Sequence, residues 1–391
     1  MTDDNPHDSS WRSLWLSSGA MSIAMLGDAL IYVVLPVNAE AFGVGLAWVG
    51  VLLAANRIVR TFSYGLIAVL GERIGFRNLC LLASVTAVVS TIMYGLFQGW
   101  APLLAARVIW GLSYGALLLA TLGYAAADRS RTGARVGVSR AVEQIGPLLA
   151  LTAGAWFAGI VGPRDVFFYL ALVSCIAALL AFMLPKQMAR SSSSGAGRPG
   201  ILPRPGRLDI LIFWMGFGVD GVFTMTITIM LAGEISIEAA MLWGGLVMSG
   251  RRVAEMIVAP LLGHIADRHG VHKPLVGCSL LLALGLALVG VGWLYVGALA
   301  IVLSRGALGT LIPAAVARFA KGSVLVSLAR NQTWRDVGAA AGPLTTGFVL
   351  GVTTPETLHL LLGAVFFATL LWLMASPAWR RSARPAIVKS E

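Results

Sequence analysis

A chain of 391 residues that is 58% hydrophobic and only 12% charged, with a mean hydropathy of +0.82, is not a water-soluble enzyme, in which about a quarter of residues carry charge. Its apolar residues fall in runs such as Leu79 to Gly95, Val166 to Leu184 and Leu358 to Ser376, each near the roughly 20 residues that carry a helix across a bilayer. The formal charge is +11, from 29 Lys+Arg against 18 Asp+Glu. In such a chain that excess marks cytoplasmic loops, and no nucleic-acid partner is expected. The sequence reads as an all-α polytopic membrane protein.

The acidic start, Met1 to Asp8, leads into an apolar stretch reaching about Val37 without a small-residue cleavage site, so the first membrane helix is expected to be retained. Cutting at glycine, proline and charge gives spans near 13–37, 46–70, 78–98, 101–124, 137–161 and 165–185. A second six follows near 208–231, 238–265, 273–292, 296–318, 332–352 and 357–376. Between them, Lys186 to Arg207 holds Ser191-Ser-Ser-Ser-Gly-Ala-Gly-Arg-Pro-Gly, a composition that cannot bury itself. The expected organisation is therefore a six-helix bundle over 1–185, a flexible cytoplasmic linker over 186–207, and a six-helix bundle over 208–391 ending in a short basic tail.

Lysine and arginine in short loops stay on the cytoplasmic side. With both termini inside, Arg12, Arg73, Arg77, Arg129, Arg131, Arg135, the linker basics, Arg268, Lys273, Arg318, Lys321, Arg330 and the tail all fall there, and only Arg164 falls outside. A multi-pass protein of the cell (inner or plasma) membrane is expected, with its basic inner face against anionic lipid. Three cysteines, Cys80, Cys175 and Cys278, lie in separate apolar runs, and neither a disulfide framework nor a metal site is indicated.

The two halves repeat. Glu72-Arg73-Ile74-Gly75 after the second span matches Asp267-Arg268-His269-Gly270 after the eighth, 195 residues on, and Arg57 matches Arg252 at the same offset. Arg107 lies close to Arg305, and Gly146-Pro147 to Gly342-Pro343. Duplicated six-helix halves point to a transporter with a mid-membrane site that opens alternately to each side.

These residues also resemble the major facilitator superfamily, and within it the drug and metabolite proton antiporters, over the whole chain. Gly263-His-Ile-Ala-Asp267-Arg268-His-Gly270-Val-His-Lys273 looks like the family's GxxxDRxGxxx loop, while the first copy departs from it with Ala68 and Glu72. Gly27-Asp28-Ala-Leu-Ile-Tyr-Val-Val-Leu-Pro36 resembles the first-helix antiporter motif, and Arg107-Val-Ile-Trp-Gly111 the fourth-helix motif associated with proton transfer. Of the glycine-rich fifth-helix motif only Gly146-Pro147 remains, and Gly338-Ala-Ala-Ala-Gly342-Pro343 in helix eleven is closer. The resemblance implies twelve helices in two pseudo-symmetric bundles and proton-coupled export.

A charge at bilayer depth costs at least about 2.5 to 3.5 kcal/mol, so interior charges face inward. The basic set is Arg57, Arg60, Arg107, Arg140, Arg251, Arg252, Arg305 and Arg335, against Asp28, Glu143, Asp220, Glu255 and Asp336. Helix rise places Asp28, Arg57 and Arg107 at comparable depth, and Asp220, Arg252 and Arg305 repeat the group. Asp28 and Arg107 are read as proton-coupling residues together with Glu143, whose alternative is a structural ion pair with Arg140; Arg335 with Asp336 has the same alternative, both pairs lying within a turn of the cytoplasmic ends. Arg57, Tyr32, Asp220, Phe217, Arg252 and Arg305 are expected to line the substrate cavity, Tyr32 and Phe217 because they stand four and three residues from an aspartate. Glu72, Arg73 and Gly75, with Asp267, Arg268 and Gly270, are expected to form cytoplasmic gating loops in which the acid holds a neighbouring helix end. Trp100, Trp243, Trp293 and Tyr295 suit the interfacial belt.

The positive interior disfavours a cationic cargo and suits a small anionic or zwitterionic organic compound, exported against protons, with proton-coupled uptake of an organic anion as the alternative. A receptor or scaffold on the same fold is a further reading. No HExxH, nucleophile arrangement or GxxxxGK[ST] loop occurs, so neither an enzyme nor a direct ATP user is expected. No cofactor is expected; the partners are the substrate, protons and membrane lipid, and the oligomeric state is a monomer.

Overall fold

Proline and glycine punctuate the chain into long helices. In the computed structural model, which describes all residues except 1–5, 129–130, 186–202, 236, 321, 351, 378 and 380–391, the first group is α1 (Pro6–Val37), α2 (Leu46–Ile74), α3 (Phe76–Leu96), α4 (Trp100–Ala125), α5 (Thr132–Val161) and α6 (Val166–Phe182). The second is α7 (Arg207–Leu231), α8 (Ile237–His269), α9 (His272–Gly290), α10 (Leu294–Phe319), α11 (Val324–Val349) and α12 (Pro355–Met374). Among the described residues eight of these, α1, α3, α4, α5, α7, α9, α10 and α12, are long and apolar enough to cross a membrane. The expectation was twelve. α6 is apolar but has 17 residues, whereas α2, α8 and α11 carry Arg57 and Arg60, Arg251, Arg252 and Glu255, and Arg330, Arg335 and Asp336 within their length, which lowers their hydropathy.

The two groups repeat one packing scheme. In the first, α1 packs on α5, α2 on α4, α3 on α4 and α3 on α6; in the second, α7 packs on α11, α8 on α10, α9 on α10 and α9 on α12. The groups meet mainly through α5 against α8 and α2 against α11. In lipid the hydrophobic effect does not drive helix association, and close approach by small residues does. The backbone of Gly146 rests on the carbonyl of Ser22 in α1, and Gly338 and Gly342 rest on the carbonyls of Phe213 and Phe217 in α7, so the repeated Gly-Pro pairs mark equivalent helix crossings. Across the groups, Gly133 and Gly137 of α5 bring it against Gly263 and Ala259 of α8.

Several boundaries differ from expectation. α5 begins at Thr132 and α11 at Val324, so Arg135 and Arg330, expected in loops, lie in helices, and Arg140, Glu143, Arg335 and Asp336 stand two or more turns inside rather than within one. Arg135 is buried and donates from Nε to the carbonyl of Ala125 at 2.9 Å, tying α5 to the end of α4. Arg330 pairs with the buried Asp209 at 2.5 Å. α5 turns π-helical over Ala150–Gly154 after Pro147, and α7 over Gly216–Phe223. Of the expected linker, residues 186–202 lie outside the described residues, as do Arg129, Lys321 and the tail from 380. Pro203 accepts from Trp334 Nε1 at 3.0 Å, and α7 starts at Arg207.

Candidate functional site

Asp28 sits in the middle of α1 with a side chain 12% exposed, and Arg107 of α4 reaches it from a position 1% exposed. Arg107 Nη1 donates to Asp28 Oδ1; Nη2 donates to Tyr32 Oη at 3.0 Å, and Nε to the carbonyl of Leu52 at 2.9 Å. Tyr32 Oη in turn donates to the carbonyl of Leu53 at 3.0 Å. Asn56 Nδ2 stands 3.4 Å from Asp28 Oδ1. The carbonyls of α2 reach the arginine because Gly111 lets α4 lie against Asn56, where a methyl group would stand 2.8 Å from its carbonyl oxygen. The result is a single carboxylate on a single arginine with its donors otherwise occupied. Arg57, expected beside Asp28, is not in this cluster. By helical spacing it falls on the stripe of α2 that carries Arg60 and Tyr64, the two residues bonded to Asp336 of α11.

The second half repeats the pair with a change of partner. Arg305 of α10 grips Asp220 with Nε on Oδ1 and Nη2 on Oδ2, each at 3.0 Å, and Arg251 adds a bond to Oδ1 at 3.1 Å. Arg252, the expected partner, instead donates to Gln144 of α5 at 2.9 Å. Ala259, Gly263 and Asp267 fix the α8 face that meets α5, and Arg252 lies on that stripe, seven residues before Ala259. Its neighbour Arg251 is thereby turned to the interior. Phe217 also departs from expectation. The π-helical bonding of Gly216–Phe223 removes the three-residue match on which its pairing with Asp220 rested, and its ring packs on Phe213 and Trp214, with centroids 6.0 and 5.5 Å away.

Glu143 is buried in α5, accepting from Arg140 Nη1 at 3.0 Å and from Ser139 Oγ at 2.9 Å, while Ser18 of α1 donates to Ser139 at 3.0 Å. The cluster that sequence reasoning missed joins the two halves. Asp336 of α11 accepts from Arg60 Nε at 2.8 Å and Tyr64 Oη at 3.0 Å, both of α2, and from Arg335 Nη2 at 2.9 Å. The spacing of Arg60 and Tyr64, four apart on one helix face, was the available signal.

The segments expected as gating loops are the last turns of α2 and α8, which take in Glu72, Arg73, Asp267 and Arg268; each helix is followed by a glycine at φ +82, Gly75 and Gly270, a conformation that favours glycine. Asp267 reaches across the halves: its two carboxylate oxygens accept the backbone N–H groups of Gly133 at 2.8 Å and Ala134 at 2.7 Å, the otherwise unsatisfied donors of the first turn of α5. Glu72 of α2 accepts from Ser323 Oγ, which itself accepts from Val326 N in the first turn of α11 at 3.2 Å. Arg73 and Arg268 are exposed.

An all-helical chain whose two groups repeat one packing scheme and meet around buried ion pairs has the architecture of a membrane transporter. The family model of the Major Facilitator Superfamily matches residues 18–250, and the chain belongs to that family. It is 27% identical to the multidrug resistance protein MdtG of Proteus mirabilis over 396 residues, covering 94% of this chain and 96% of that protein. To MdtG of Salmonella choleraesuis it is 26% identical, covering 85% and 86%. Among solved structures, the human organic anion transporter MFSD10 superposes with a TM-score of 0.76 at 17% identity, covering 95% of this chain and all of that one. A variant of the Escherichia coli fucose:proton symporter FucP gives 0.74 at 14% identity, covering 93% and 99%.

Proposed function

We propose that the protein is a proton-coupled secondary transporter that exports a small anionic or zwitterionic organic compound by alternating access. The observation that carries this reading is the Asp28–Arg107 pair, held in the helix interior by Tyr32 and the carbonyls of α2 and mirrored by Asp220 with Arg305. A membrane-embedded carboxylate changes charge when its surroundings change. In this reading Asp28 carries the proton while it is parted from Arg107 on one side of the cycle and gives it up when the pair re-forms on the other. Glu143, buried beside Arg140, is the second carboxylate of the proton-handling set. The drug-export relatives support the direction of transport.

In this reading the chain spans the inner or plasma membrane twelve times as two six-helix bundles, residues 1–185 and 208–391, joined by the 186–207 linker. Both termini are cytoplasmic and the working unit is a monomer in contact with membrane lipid. α2, α6, α8 and α11 cross as well, the interior charges of α2, α8 and α11 turned away from lipid. Glu72 and Asp267 then hold the cytoplasmic side shut, and Arg57, Tyr32, Asp220 and Arg305, with Arg251 in the place expected of Arg252, surround the cargo path. The excess of interior arginine selects against a cationic cargo.

The test is transport in everted and right-side-out vesicles with an imposed pH gradient, against anionic, zwitterionic and cationic compounds, with proton movement recorded. Proton entry linked to loss of an acid supports the reading. Proton and acid moving together establishes uptake, and export of cations alone overturns the substrate class.

A further inference from the structure

On α2, Arg57, Arg60, Tyr64 and Gly71 form one stripe at helical spacing. Three of them are fixed against α11: Arg60 and Tyr64 bond Asp336, and Gly71 lies by Leu325. The two helices run antiparallel, so the register that sets Gly71 by Leu325 and Arg60 by Asp336 brings Ala340, four residues on from Asp336, level with Arg57. It offers no polar side chain. Arg57 is half-buried, and among the described residues none of its guanidinium nitrogens has a hydrogen-bond partner. Arg60 spends Nε on Asp336 and lays its guanidinium 4.2 Å from the Tyr114 ring centroid, but among the described residues neither of its Nη groups donates a hydrogen bond. Nor is either Nη sealed from solvent as a buried orphan.

Two guanidinium groups one helical turn apart, each with N–H donors that no protein acceptor among the described residues takes up, have the donor set of an oxyanion receptor. We infer that the carboxylate end of the cargo docks between Arg57 and the Nη groups of Arg60, and there competes with Asp336 for Arg60. Binding then loosens the bridge between α2 and α11, one of the two main contacts between the halves, so loading and rocking are linked by one arginine. This rests on the anionic or zwitterionic reading above.

The experiment uses the full chain in phosphatidylcholine nanodiscs and equilibrium binding of radiolabelled salicylate, with neutral salicylamide and cationic tetraphenylphosphonium as comparison probes. The wild type is expected to bind salicylate in preference to both. Arg57→Gln weakens salicylate about tenfold, the loss of one or two charge-assisted hydrogen bonds, and Arg57→Lys recovers part of it. Asp336→Asn acts in the opposite direction and tightens salicylate about tenfold by releasing Arg60. Should Asp336→Asn not fold, Asp336→Ser likewise removes the carboxylate that holds Arg60 and is expected to shift affinity the same way. The opposite signs separate this assignment from a structural role, which would lower binding in every variant. Unchanged salicylate affinity in Arg57→Gln, or weaker binding by folded Asp336→Asn, overturns the site while leaving an anionic cargo. Binding of tetraphenylphosphonium with no binding of salicylate overturns both.

Discussion

The carboxylate of Asp267, near the end of α8, accepts the backbone N–H of Gly133 in the first turn of α5 at 2.8 Å. A residue of one half thus caps a helix of the other, and the cap can hold only while the two halves are together at this end. Replacing a capping side chain costs about 0.5 to 2 kcal/mol, and Asp267→Asn keeps one acceptor while removing the charge that favours a helix N-terminus. The expected outcome is a folded protein in which the amides of 132–136 exchange with deuterium several-fold faster, read by hydrogen–deuterium exchange. Exchange at the wild-type rate would show that the α5–α8 packing alone holds this end.

Asp28→Asn should leave the protein in the membrane and remove proton-driven transport. The amide keeps an oxygen for Arg107 Nη1, so the fold survives, but it has no proton to release. In everted vesicles the variant is expected to lose proton entry together with solute flux, whatever solute the screen identifies. Wild-type transport by this variant removes Asp28 from the mechanism.

The sequence allowed the Asp28–Arg107 pair to be read because both lie on apolar helices at matched depth, where a carboxylate and an arginine have few other partners. The Glu72 and Asp267 segments were legible because the duplication prints them twice, but both lie in the last turns of α2 and α8 and not in loops. The partner of Asp220 was not. Arg251 and Arg252 are adjacent, about 100° apart around the helix, and which one turns inward depends on how α8 sits against α5, a contact between halves that no local pattern records. The Arg60–Asp336 bond joins residues 276 apart in the chain and belongs to the same class. Phe217 was misplaced because α-helical spacing was applied to a stretch that is π-helical.

The two bonds of Arg305 and the one of Arg251 set an order of stability. Arg305→Gln leaves Asp220 with a single cation and breaks two charge-assisted bonds, each contributing about 1.5 to 3 kcal/mol. Arg251→Gln breaks one, on a side chain 25% exposed, where water recovers part of the loss. Arg252→Gln breaks only a bond to the neutral Gln144. Thermal unfolding in detergent is expected to fall in that order, Arg305→Gln furthest and Arg252→Gln least. A larger fall for Arg252→Gln than for Arg251→Gln would restore Arg252 as the partner of Asp220.

The glycine crossings make the last prediction. Gly146 donates its N–H to Ser22 Oγ at 2.8 Å, and the site of an added methyl is already filled by the Ser22 carbonyl. Backbone cannot swing aside as a long side chain can, so Gly146→Ala must push α1 and α5 apart, at a cost of about 1 to 3 kcal/mol or more. Gly159, on the same helix, has no atom within 4 Å of that position; Gly159→Ala should be neutral or slightly stabilising, because alanine loses less freedom in a helix. The pair is compared by thermal unfolding in detergent, and Gly342→Ala, packed on the Phe217 carbonyl at the equivalent crossing, is expected to follow Gly146→Ala. Equal melting of Gly146→Ala and Gly159→Ala would mean that the α1–α5 crossing is looser than this backbone contact requires.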